Sequence, residues 1–166
     1  MSRSGKAVMA VVVLSVFCGL FGCGKAPACT ARDIQSVSIS CGHMDHSFSY
    51  AFYLRQGENG WLLDADFAAD IGQPHTEYEA CPIAEEDASE LLDIVVEQDV
   101  AGKLRRYKKP RLTAGALDET TYYTSILFAE GEQLGAAIRA NQDLEDCFYR
   151  IAAQYAPTVP AADDAG

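Results

Sequence analysis

Two runs of strict alternation, joined by a tight turn, decide most of what this chain can fold into. Ser47 to Arg55 places Phe48, Tyr50, Phe52 and Leu54 on one side and Ser47, Ser49, Ala51, Tyr53 and Arg55 on the other. Trp61 to Phe67 returns with Trp61, Leu63, Ala65 and Phe67 on one side and Asp64 and Asp66 opposite. A period of two puts successive side chains on opposite faces of a strand. Asn59-Gly60 marks the tight turn between them, because both residues tolerate positive φ. An antiparallel hairpin with one apolar and one polar face is the expected product, and it needs more strands and a cover to be stable.

The flanking segments supply both. Ile34 to Cys41 alternates with Val37, Ile39 and Cys41 in phase, and His75 to Cys81 follows with Tyr78 and Ala80 inward. Thr120 to Ala129 carries Tyr122, Ile126 and Phe128 in phase, turns at Glu130-Gly131-Glu132, and returns as Gln133 to Ala140 with Leu134, Ala136 and Ile138. Two helices have the three-and-four spacing of an apolar stripe. The first is opened by Pro82 and stopped by Gly102, with Ala88, Leu91, Leu92 and Val95 inward. The second is capped by Asn141 or Asp143 and ended by Pro157, with Leu144, Cys147, Phe148, Ile151 and Tyr155 inward. The expected fold is a single α+β domain over 34–156, an antiparallel sheet of about six strands with two helices packed on one face. A hairpin followed by a helix occurs twice, which is either a duplication or the commonest way to cover a sheet.

Ahead of the domain, Arg3 and Lys6 precede an apolar run from Ala7 to Phe21 that ends in Leu20-Phe21-Gly22-Cys23. Charged start, apolar middle and small residues at the exit define an export signal. The ending resembles the lipobox of bacterial lipoproteins. That resemblance implies that residues 1–22 are removed and that the Cys23 thiol carries a diacylglyceryl group at the new N-terminus. Acyl chains of this kind (palmitate among them) would anchor the protein to the membrane of the cell envelope, facing the extracytoplasmic side. Residues 23–33 then read as a lipidated tether and 157–166 as a disordered tail. The mature part also resembles small α+β lipoprotein domains, through its Ser/aromatic hairpin and an acidic helix preceded by a proline; this likeness implies no activity.

Removing the signal changes two counts. Arg3 and Lys6 leave with it, so 11 basic residues face 24 acidic ones and the net charge moves from −11 to −13. Nucleic acid does not suit such a surface, whereas a cationic protein or small extracytoplasmic ligand does. Of the six cysteines, Cys18 departs and Cys23 is taken by lipid, leaving Cys29, Cys41, Cys81 and Cys147. Four cysteines in an exported domain favour two disulfides among three connectivities. Strand and helix phase favours Cys41 with Cys147 and Cys29 with Cys81.

The remaining candidates for chemistry are few. His43, Asp45 and His46 follow Cys41 in one loop, an imidazole and carboxylate set that suits zinc or copper. Lys103 to Arg111 holds six of the eleven basic residues, suited to anionic lipid or polymer, to the acidic helix Glu85 to Asp99, or to solvent. Tyr53 and Tyr123 fall out of phase with the core residues around them and are the aromatic candidates for a binding face. The sequence carries no nucleophile elbow, no His-Glu-x-x-His, no phosphate-cradling glycine loop and no Cys-x-x-Cys. The expectation is therefore a membrane-tethered, non-catalytic binding or interaction domain that uses no cofactor. An inhibitor or decoy for a cationic secreted protein, and a metal-handling lipoprotein using His43, Asp45 and His46, stand as alternatives.

Overall fold

A computed structural model describes residues 29–42, 49–68, 73–108 and 120–157. The signal segment, Cys23, most of the tether, the His43-Asp45-His46 loop, Phe48, the last three residues of the basic run and the tail beyond Pro157 lie outside the described residues. A 3-10 turn at Ala31–Asp33 leads into β1 (Ile34–Gly42), followed by β2 (Tyr50–Gly57), β3 (Gly60–Ala68) and β4 (His75–Pro82). Two helices, α1 (Glu85–Glu97) and α2 (Val100–Arg106), come next, then β5 (Thr121–Phe128), β6 (Gln133–Ala136) and α3 (Gln142–Tyr155).

The six strands form one antiparallel sheet in the order β4-β3-β2-β1-β5-β6. The strand that comes first in the chain is therefore central, with the expected hairpin on one side and the second hairpin on the other. Alternation holds along β1, β2 and β3: Val37, Ile39, Cys41, Tyr50, Phe52, Leu54, Trp61, Leu63, Ala65 and Phe67 are all buried. They join Ile126 and Phe128 of β5 and the inward stripes of the helices in one core. The fold is α+β as expected, but with three helices rather than two.

Physical details account for the differences. The turn is centred on Glu58-Asn59, one residue earlier than expected, because Gly57 pairs with Gly60 and only Gly60 takes a positive φ (134°). Pro82 does not open α1; it is the last residue of β4, opposite Leu62. The N-terminus of α1 lacks a local cap, and the Ala84 N–H instead donates to the Tyr155 hydroxyl at the end of α3 (2.9 Å), which donates in turn to Asp87 (2.7 Å). Gly102 does not end the helix either. The chain breaks at Asp99, whose φ of 48° is left-handed. Its carboxylate accepts from the Gly102 N–H at 3.2 Å and so starts α2, and a Cβ on residue 102 would run into that carboxylate. The glycine is needed for a close approach, not a stop. β6 is also shorter than the expected Gln133 to Ala140.

Strand β4 carries the sharpest correction. Leu63 pairs with Cys81 but Ala65 with Tyr78, so β4 holds one extra residue, a bulge at Glu79-Ala80. Ala80 takes φ 52°, its N–H is bound by the Asp64 carboxylate, and its side chain is exposed rather than inward. The bulge returns Cys81 to the helix side, where the Tyr78 hydroxyl donates to the Ala152 carbonyl (2.9 Å) and the Cys81 Sγ lies 4.0 Å from the Tyr155 carbonyl.

Helix α3 is capped as expected, Asn141 accepting from the Leu144 N–H at 3.0 Å. Its Phe148 is fully buried and stacks on Phe52 with ring centres 5.4 Å apart and planes 8° from parallel. Phe148→Ala is expected to lower the unfolding free energy by about 3–5 kcal/mol, and Asn141→Ala by about 1 kcal/mol. Urea denaturation followed by circular dichroism checks both.

Candidate functional site

Helices cover one face of the sheet; the opposite face is bare among the described residues. Its centre is a row of serines on β1: Ser36, Ser38 and Ser40. Ser38 and Ser125 of β5 share a hydrogen bond at 2.8 Å across the strand pair, which satisfies both hydroxyls where the sheet half-buries them. Tyr53 lies opposite Ser38 on β2, and Tyr123 opposite Ser40 on β5. Among the described residues these two rings are the exposed large hydrophobic side chains, 38% and 45% exposed. Two strand spacings and a two-residue offset put their backbones roughly 12 Å apart. Sequence phase identified both residues, and the structure brings them onto this one face.

Each tyrosine has a defined neighbourhood. The Tyr123 ring reaches across β6 and sets its hydroxyl over Gly135, where any Cβ would collide with it. Tyr53 stands between two open recesses. One, of about 280 Å³, runs from Ser38 and Ser40 past Tyr53 to Asp64, Asp66, Glu77 and Glu79. The other, of about 450 Å³, is edged by Ser36, Arg55 and Leu127. Arg55 pairs with Asp64 (3.3 Å) and His75 with Asp66 (2.6 Å), while Glu77 and Glu79 have no ion-pair partner among the described residues. The β4 side of the face is thus acidic and aromatic together. Such a surface attracts a cationic group, through carboxylate contacts and through the negative face of a tyrosine ring.

The cysteines do not form the expected pairs. All four are free thiols, and each has different neighbours. Cys41 is hydrogen-bonded to Tyr122 and lies within the field of Glu145 on α3. Cys147 is two residues further along that helix, about 200° around it, and its Sγ instead accepts from Arg150 at 3.6 Å. Cys29 faces Asp33 and Arg105 near β5, while Cys81 belongs to edge strand β4. Three strand spacings separate β4 from β1, roughly 14 Å, beyond the reach of a disulfide. Strand phase had assigned Cys81 outward because the bulge is invisible in the pattern.

One cluster escaped the sequence reading. Glu145 is buried at the start of α3 and is gripped by the Arg139 guanidinium at 2.8 and 3.0 Å. Arg139 lies over the Tyr122 ring, 5.3 Å from its centre. Burial, then the Glu145 charge and a hydrogen bond to it, push the Tyr50 phenol well above the ordinary range. The nearby Tyr149 hydroxyl is buried with no hydrogen-bond partner among the described residues, and burial pushes that phenol up to about 12. The only sequence signal was an acid inside the apolar stripe of α3. The cluster clamps α3 to the end of the sheet from which 43–48 and 109–119 depart. Among the described residues no group of three or more metal-ligating side chains converges, and His43, Asp45 and His46 lie outside them.

Burial raises the Cys147 thiol to about 11, from 9.0. At pH 8 it should therefore hold about a hundredfold less thiolate than an ordinary thiol and alkylate correspondingly slowly. Timed iodoacetamide labelling read by mass spectrometry measures this, and a non-reducing peptide map should link none of the four cysteines. Comparison of the chain with protein-family models, with curated proteins and with solved structures returned no match.

Proposed function

We propose that this chain is an extracytoplasmic lipoprotein, acylated at Cys23, whose domain binds a cationic protein without catalysing a reaction. One observation carries the binding half of this reading: Tyr53 stands exposed on an uncovered sheet face beside Asp64, Asp66, Glu77 and Glu79. A sheet face left bare is ordinarily polar throughout, since nothing is gained by leaving aromatic area in water. Placing tyrosines there suits an interface, where their rings supply contact area and their hydroxyls remain hydrogen-bonded. The carboxylates speed the approach of a positive partner and select against negative ones. A net charge of −13 after loss of the signal extends the same bias over the whole domain. The anchoring half rests on the apolar run from Ala7 and the Leu20-Phe21-Gly22-Cys23 ending. Among the described residues no helix is long and apolar enough to cross a membrane.

Both halves can be measured. Titration with a lysozyme, a basic secreted protein, should show binding that weakens as salt screens the charges. Tyr53→Ala should cost about 1–2 kcal/mol of binding free energy if that ring is an interface anchor. Asp66→Asn with Glu77→Gln should reduce the association rate and flatten the salt dependence. Binding indifferent to salt, or unchanged in these variants, would exclude the sheet face. For the anchor, cells fed a labelled fatty acid should yield labelled protein, and Cys23→Ser should abolish the label.

A further inference from the structure

The basic residues are not spread over the domain. Eight are described, and five of them, Arg32, Lys103, Arg105, Arg106 and Lys108, belong to the Ala31–Asp33 turn and to α2 with the two residues after it. These elements meet where the chain enters the domain. Cys29, the first described residue, lines a recess of about 230 Å³ together with Asp33, Arg105, Phe128 and Glu132. Helix α2 buries Val100, Ala101 and Leu104 and turns its cations outward.

Some acids at this end are engaged. Asp99 accepts from the Gly102 N–H and Arg106 and Glu132 from Arg105, while Asp33 accepts from the Thr30 N–H and hydroxyl and keeps its charge. Glu130, Glu58 in the β2–β3 turn and Glu85 and Glu86 at the start of α1 have no ion-pair partner among the described residues. Arg32, Lys103 and Lys108 have no ion-pair partner among the described residues. Elsewhere the described cations are used up locally, Arg55 by Asp64, Arg139 by Glu145 and Arg150 by Glu90. Among the described residues the cations without an ion-pair partner therefore belong to α2, the residues just after it and the Ala31–Asp33 turn, whereas the free carboxylates Glu58, Glu85 and Glu86 belong to the β2–β3 turn and the start of α1.

The elements that carry these cations are also close to the proposed anchor. Cys29 is six positions beyond Cys23, and a fully extended chain of that length spans about 20 Å. We infer that Arg32, Lys103 and Lys108 seat the domain on anionic phospholipid headgroups, with α2 against the membrane surface. This inference rests on the lipid-anchor reading above. Cations held near an anionic leaflet act within a Debye length of it, and the anchor brings these within range. The tether fixes the height of the domain and the cations its orientation. Because β1 starts at this end and the other strands run parallel or antiparallel to it, the open sheet face would stand upright, free for a partner from solution.

Lipidated protein purified from cells is bound to vesicles of phosphatidylcholine alone or of phosphatidylcholine with phosphatidylglycerol. A water-soluble amine-acylating reagent then reads the exposure of Lys103 and Lys108 by mass spectrometry. Labelling at both should be lower by about threefold or more on the anionic vesicles, and high salt should remove the difference. Protein that floats with both vesicles but labels equally on each would overturn the seat and leave the anchor standing. Protein that floats with neither would overturn the anchor and the seat together.

Discussion

The stack of Phe148 on Phe52 is the contact on which the remaining architecture depends. It joins the middle of α3 to the middle of the sheet, with both rings excluded from solvent. Tyr149 adds edge-on contacts to Phe52, Tyr50 and Phe67, so two successive residues of one helix touch two strands. Aromatic pairs in such geometries contribute about 0.5–1.5 kcal/mol each beyond the area they bury. Once α3 is fixed, its polar contacts fix the surroundings. Tyr155 caps α1, Arg150 reaches Glu90 on the same helix, Tyr78 of the edge strand donates to Ala152, and Arg139 holds Glu145. Helix α1 thus begins where α3 ends, and neither has a complete set of partners without the other.

This dependence explains what could be read from the residues and what could not. Strands β1, β2, β3 and β5 were legible because a half-buried strand stamps its period on the sequence, and α3 because its stripe and its Asn141 cap agree. The bulge at Ala80 was not legible. Glycine, asparagine or aspartate would announce a left-handed residue, whereas an alanine at φ 52° is held there by the Asp64 carboxylate on the neighbouring strand. Gly102 misled for a related reason, since a glycine that makes room for a side chain looks the same as one that ends a helix. Cysteine parity carried no geometry at all. Strand alternation already orients Tyr53 and Tyr123, but only the three-dimensional order of strands puts β4, with Glu77 and Glu79, on the same face. The acid-and-ring combination is therefore a product of topology.

A sheet face left bare among the described residues must satisfy water there. The serine row of β1 does so without long side chains, and the Ser38–Ser125 bond closes the most crowded part. Low side chains along the central strand also leave the taller rings of β2 and β5 standing at either side, which turns a flat surface into a shallow trough. Gly135 extends the same relief to β6 by letting the Tyr123 hydroxyl lie across the backbone. The trough is thus shaped by which residues are small as much as by which are large. An acidic wall on the β4 side gives it a direction.

Charge and shape then point to one arrangement. Carboxylates concentrated beside Tyr53 would repel an anionic membrane, so in the proposed lipid-anchored arrangement another part of the domain would have to face it. The free cations on α2 and the Ala31–Asp33 turn lie at the end where the described residues begin, and the acidic trough lies along the strands that leave it. In the proposed lipid-anchored arrangement, attraction at one end and repulsion from the face would act as a couple that orients the domain. Both forces weaken together as salt shortens the Debye length, so the orientation and the capture of a cationic partner would share one dependence on ionic strength. Coupling of that kind arises from segregating charge within a single small fold, with no moving part.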